Sequence, residues 1–114
     1  MSRRPAFRPL ALLTLAAALW VSPAAAEDPS FELSIRDHRF VPETLEVPAG
    51  KRIRLVVSNA DPTPEEFESY ELNREKVIPG NGKGTVYIGP LDPGTYPFFG
   101  DFNQSTAKGR IVAK

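Results

Sequence analysis

Along most of the chain, apolar and polar residues alternate in short runs. Phe31, Leu33 and Ile35 alternate with Glu32, Ser34 and Arg36, and Ile53, Leu55 and Val57 alternate with Arg52, Arg54 and Val56. A period of two belongs to a strand with one face in a core. Asp37-His38-Arg39 interrupts the first run, and Phe40-Val41-Pro42 resumes an extended path, because a residue before proline avoids the helical region. Leu45-Glu46-Val47 is a short strand closed by the turn Pro48-Ala49-Gly50-Lys51. Ala60 to Pro64 holds two prolines and cannot be a central strand. Beyond it, Glu68, Tyr70 and Leu72 share one face, and Phe67, Ser69 and Glu71 the other. With Tyr70 and Leu72 assigned to the core, Glu68 points inward at the end of the sheet. Asn73 to Ile78 reads as a turn or one helical turn, and Pro79 to Gly84 as a loop. Val86 with Ile88, Tyr96 with Phe98, and Ile111-Val112 complete the set. About seven short strands between Gly and Pro turns, with no helical period beyond a turn or two, predict an all-β sandwich in a single domain.

The N-terminus breaks this pattern. Arg3, Arg4 and Arg8 precede an apolar run from Leu10 to Val21, and Ala24-Ala25-Ala26 follows. That order is expected of a secretory signal peptide over residues 1–26, cleaved after Ala26, with the folded domain at 27–114 and a periplasmic destination. The apolar run is shorter than the roughly 20 residues of a membrane span; an uncleaved anchor is the alternative. Ser2-Arg3-Arg4 leaves twin-arginine export open beside the ordinary route. Without the leader, 11 basic side chains face 14 acidic ones, which makes nucleic acid and anionic membrane surfaces poor partners. The chain has no cysteine and one histidine, so neither a disulfide nor a thiolate can contribute.

The closing segment Pro93-Gly94-Thr95-Tyr96-Pro97-Phe98-Phe99-Gly100-Asp101-Phe102-Asn103, with Lys108-Gly109-Arg110-Ile111-Val112 after it, resembles the ligand loop of cupredoxins. Phe40-Val41-Pro42, Val47-Pro48-Ala49-Gly50, Leu55-Val56-Val57-Ser58-Asn59 and Val77-Ile78-Pro79-Gly80 extend the resemblance from about Phe31 to Lys114. It implies a cupredoxin-like Greek-key β-sandwich. Thr63-Pro64-Glu65-Glu66-Phe67-Glu68-Ser69 together with Phe98-Phe99-Gly100-Asp101-Phe102 is most similar to the EfeO-type periplasmic cupredoxin domains of bacterial iron-transport systems. Blue-copper relatives place cysteine where this chain has Gly100, histidine near Asn103, and often methionine at the loop end; none of the three is present. The EfeO pattern also places cysteine at Phe40 and Gly100. Where blue-copper proteins have their first histidine this branch has a carboxylate, a position matched here to Glu68.

The resemblance implies a metal ion, iron or copper, but a type 1 copper centre needs a thiolate with two imidazoles and is excluded. Oxygen ligands suit iron, manganese and, with a histidine, Cu(II). Glu68 and Asp101 are the leading candidate ligands, with His38 a possible third and Glu66 after them. Each has a plainer reading: a charge at a fraying strand end for Glu68, an Asx-turn acceptor for Asp101, a polar turn residue for His38. Asn103 could lend an amide oxygen or be an ordinary loop residue. Arg39, Arg74 and Lys108 could pair with the acids and replace any ion by a salt-bridge network. No spacing supports a catalytic triad, and the Gly80 to Gly84 region carries no nucleotide signature, so an enzyme is not expected. Two functions follow: a periplasmic carboxylate metal-binding protein of iron or copper uptake and homeostasis, or a metal-free interaction module docking on a membrane permease or other periplasmic transport component.

Overall fold

The computed structural model describes residues 2–6, 9, 11, 16–17 and 27–114. The expected leader's apolar core and cleavage site fall largely outside the described residues. Among the described residues, nine strands form two sheets: β1 (Ser30–Arg36), β2 (Arg39–Val41), β3 (Thr44–Val47), β4 (Ile53–Asn59), β5 (Glu65–Ser69), β6 (Arg74–Ile78), β7 (Lys83–Ile88), β8 (Gly94–Gly100) and β9 (Lys108–Ala113). One sheet has the order β2-β1-β4-β7 and the other β3-β9-β8-β5-β6. β1 runs parallel to β4 and β3 parallel to β9; the remaining pairs are antiparallel. The chain changes sheets between β2 and β3, at Pro42-Glu43, where proline could not have donated to a ladder.

Alternation in β1 and β4 is as the sequence dictates: Leu33, Ile35, Ile53, Leu55 and Val57 are fully buried. Phe67 and Phe98 meet them from the second sheet, and Phe40 packs edge-on against both rings. The Phe40 and Phe98 centroids lie 4.9 Å apart, and those of Phe67 and Phe98 5.1 Å. Edge and tilted contacts of this kind add about 0.5–1.5 kcal/mol each beyond the area they bury.

Two local expectations are corrected. Asn73 to Ile78 is not a helical turn: Arg74–Ile78 is β6, the edge strand, paired with β5 from Glu65↔Ile78 to Ser69↔Arg74. Its run Arg74-Glu75-Lys76 is exposed, the charged composition that blunts a free strand edge. The parity of β5 is also opposite to the expected one. Phe67 is fully buried and Tyr70 is 74% exposed, so Glu65, Phe67 and Ser69 face the core while Glu66 and Glu68 face outward. The strand ends at Ser69, and a turn from Tyr70 to Asn73 resets the phase before Leu72 returns to the core. The Asn73 N–H closes that turn on the Tyr70 carbonyl, with Asn73 at φ 52°.

Candidate metal centre

The loop between β8 and β9 begins with a short 3₁₀ helix, Asp101–Asn103, at the end of the sandwich where β5 starts. β5 pairs with β8 through Phe67↔Gly100 and Glu68↔Phe99, so the first residues of that loop lie over β5. Inside, the controlling side chain is Glu65, only 1% exposed. Its Oε1 accepts the backbone N–H groups of Phe102 at 2.9 Å and Glu66 at 3.0 Å. Its Oε2 accepts the Asn103 side-chain amide at 2.6 Å. Three donors around one carboxylate compensate its removal from water. Gly100 is required beside it: a Cβ there would come within 2.6 Å of Glu65 Cδ and 2.7 Å of Ala107 Cβ.

On the outer face of the same strand end, Glu66, Glu68 and Asp101 converge, each partly exposed, with one carboxylate oxygen from each within 4.8 Å of the others. Partial desolvation, then repulsion from Asp101 and Glu66, holds Glu68 above the usual glutamate range. Asp101 does not accept backbone N–H groups in an Asx-turn; its Oδ1 accepts the Gln104 side-chain amide at 2.8 Å. Among the described residues, Arg39, Arg74 and Lys108 make no ion pair with these acids. Arg74 instead donates from Nε to the Tyr87 carbonyl at 2.8 Å.

His38 lies outside this trio. Asp37 and His38 form the two-residue connection between β1 and β2, both with positive φ, 51° and 57°, the requirement of a type I′ hairpin. Neither residue is glycine, and the arrangement is held by Asp61, which follows β4 beside the end of β1. One Asp61 oxygen accepts the Asp37 N–H at 2.8 Å and the other the His38 N–H at 2.9 Å. The His38 ring reaches Asp61 too, with Nδ1 3.6 Å from Oδ2. The His38 amide, more than any other group, holds the Asp61 carboxyl below the usual aspartate range, against an opposing effect of burial. Asp61 is in turn set by Asn59, whose Oδ1 accepts the Asp61 N–H while its amide donates to the Thr63 carbonyl.

The profile of the cupredoxin-like domain family matches residues 9–113. The chain belongs to that family. An uncharacterized protein of Rickettsia prowazekii is 48% identical over 81 residues, which is 71% of this chain and 65% of that protein. Among solved structures, the cupredoxin-like domain superimposes on auracyanin A, a "blue" copper protein of Chloroflexus aurantiacus, with TM-score 0.65 at 12% identity, covering 77% of this chain and 100% of that one. The metal binding domain of the Streptococcus pneumoniae Cu(I) exporting P-type ATPase CopA gives 0.64 at 15% identity, over 80% and 92%.

Within this cupredoxin-like domain, the inward carboxylate that faces Gly100 and Asn103 is Glu65, three residues before the position the resemblance pointed to. Glu65, Asp61 and Asn59 all escaped the sequence reading. The available signal for Glu65 was Phe67: the large apolar residue of the strand had to be buried, and a period of two carries Glu65 inward with it.

Proposed function

We propose that this cupredoxin-like protein is exported to the periplasm and holds a hard or borderline cation at Glu66, Glu68 and Asp101, serving iron or copper uptake and homeostasis. The observation that carries this reading is the convergence of three carboxylate oxygens within 4.8 Å, with no Lys or Arg ion-paired to them among the described residues. Like charges at that spacing repel, and a bound cation relieves the repulsion. The basic, apolar and small-residue order of residues 1–26 supports export. The likeness of the segments around Glu65 and Gly100 to EfeO-type domains supports iron, and no constellation supports catalysis.

Type 1 copper chemistry is not part of this reading. The residues around Gly100 do not fit a copper ion there, since both Glu65 oxygens are taken by N–H donors and the Asn103 amide is turned to Glu65. The chain has no cysteine to supply a thiolate.

Calorimetric titration of the full chain with Mn(II), Fe(III) and Cu(II) tests the proposal. A single saturable site is expected, with Glu68→Gln weakening it by about tenfold or more. Absence of heat with all three ions overturns it. One observation favours a metal-free docking module instead: Tyr70 stands exposed with the Phe99 ring 5.4 Å away, an aromatic surface of the kind partners cover. Crosslinking in membrane extract that captures a transporter component equally well with Glu68→Gln would favour that second reading.

A further inference from the structure

We propose that Glu65 is a positioning residue: its buried carboxylate fastens the Gly100–Thr106 loop to β5 and sets Asp101 beside Glu66 and Glu68 before any cation arrives. Asp101 is pinned from both sides. Before it, Gly100 is in register with Phe67 on β5. After it, the Phe102 N–H and the Asn103 side chain are both held by Glu65. The loop then closes on itself, with the Gly100 N–H donating to the Ala107 carbonyl and the Ala107 N–H to the Asn103 carbonyl. Thr106 Oγ donates to the His38 carbonyl at 2.6 Å, tying the far side of the loop to the β1–β2 hairpin. Glu65 and Glu66 are neighbours on opposite faces of one strand. The buried face therefore carries the tether and the outer face the open carboxylates, and Glu65 has no free oxygen to offer an ion.

Only the purpose of Asp101's placement rests on the rim-cation reading; the tether itself does not. The polarity of the Glu65–Asn103 contact provides the test. Asn103→Asp sets two carboxylates against each other at 2.6 Å, whereas Glu65→Gln in that background gives the new aspartate an amide donor and keeps Oε1 for the Phe102 N–H. Glu65→Gln alone is tolerated, because Asn103 can turn its own amide over.

Backbone amide exchange at Phe102 and Mn(II) affinity are measured in the full chain for wild type, Asn103→Asp, Glu65→Gln and the double variant. Asn103→Asp is expected to speed Phe102 exchange by about tenfold or more and to weaken Mn(II), although its added charge alone would strengthen binding. The double variant is expected within about twofold of wild type on both measures. Asn103→Asp matching wild-type Phe102 protection, Asn103→Asp binding Mn(II) more tightly, or a double variant no better than Asn103→Asp would each overturn the proposal. If wild type binds none of Mn(II), Fe(III) and Cu(II), the rim reading falls while the exchange cycle still decides the tether.

Discussion

Asp61 shows how much a single side chain outside the expected site can do. It is 8% exposed and accepts the two N–H groups of a hairpin turn whose residues both occupy the left-handed region. Because its folded-state acidity is stronger than in the unfolded chain, the unfolded state binds more protons in acid. The stability Asp61 contributes is present above about pH 4 and is lost as pH falls through its lowered folded-state value. Urea unfolding of Asp61→Asn is expected to show a lower midpoint than wild type at pH 7 and a shallower decline toward pH 3, the two proteins converging in acid. Parallel curves across that range would mean that the ionised carboxylate is not what steadies the turn. The sequence offered little warning of this. Asp37-His38 is not a dipeptide that announces a positive-φ hairpin, and the acid that holds it lies 24 residues away in a proline-rich connection.

Among the elements, β5 separates what the pattern of residues could tell from what it could not. β1 and β4 were legible because their alternation runs for seven residues with a consistent apolar face. β5 has five residues, four of them polar, and a reading that continues its parity to Tyr70 and Leu72 crosses a turn. The consequence was a wrong inside and outside: Glu68 was expected inward and Glu65 was overlooked, although Glu66, Glu68 and Asp101 still meet on the outer face. β6 was missed for a related reason, since Arg74-Glu75-Lys76-Val77 carries an edge strand's charge and little alternation.

The point where the phase resets is itself a structural joint. Ser69 Oγ donates to the Pro97 carbonyl at 2.7 Å and accepts the Leu72 N–H at 3.1 Å, joining the β5–β6 turn to β8. Ser69→Ala leaves both backbone groups without that partner at a position only 2% exposed. A loss of about 2 kcal/mol is expected, visible as a drop of roughly 10 °C in Tm for a domain of this size. A change below about 3 °C in a thermal scan would show that other groups or water replace the hydroxyl.

At the scale of the molecule, the cupredoxin-like sandwich closes its loop end with its own side chains. Glu65 tethers the loop of one sheet, Asp61 steadies the hairpin of the other, and the Thr106 contact with His38 joins the two, each through groups already in the chain. Chelator added to protein prepared without added metal is accordingly expected to leave Tm unchanged within about 2 °C. Mn(II) at 100 times its Kd is expected to add about 2.7 kcal/mol to unfolding stability. A large Tm loss on chelation would mean that a tightly held ion, and not the hydrogen-bonded carboxylate, supports the fold. The sandwich was legible from strand periodicity, and the end of it where acids gather from the resemblance of the closing segment to a ligand loop. The division of labour between neighbouring glutamates depends on one residue of register, which composition does not encode.

The missing Cβ at Gly100 also bears on anyone who would convert this protein into a coloured electron carrier. A thiol at that position would have to occupy space already filled by Glu65 and Ala107, so a library varying one codon at a time would find only damaged proteins there. Variation at 65, 100 and 107 together is needed to clear the space, with imidazoles brought in at 65 and 103 to complete a donor set of the right softness.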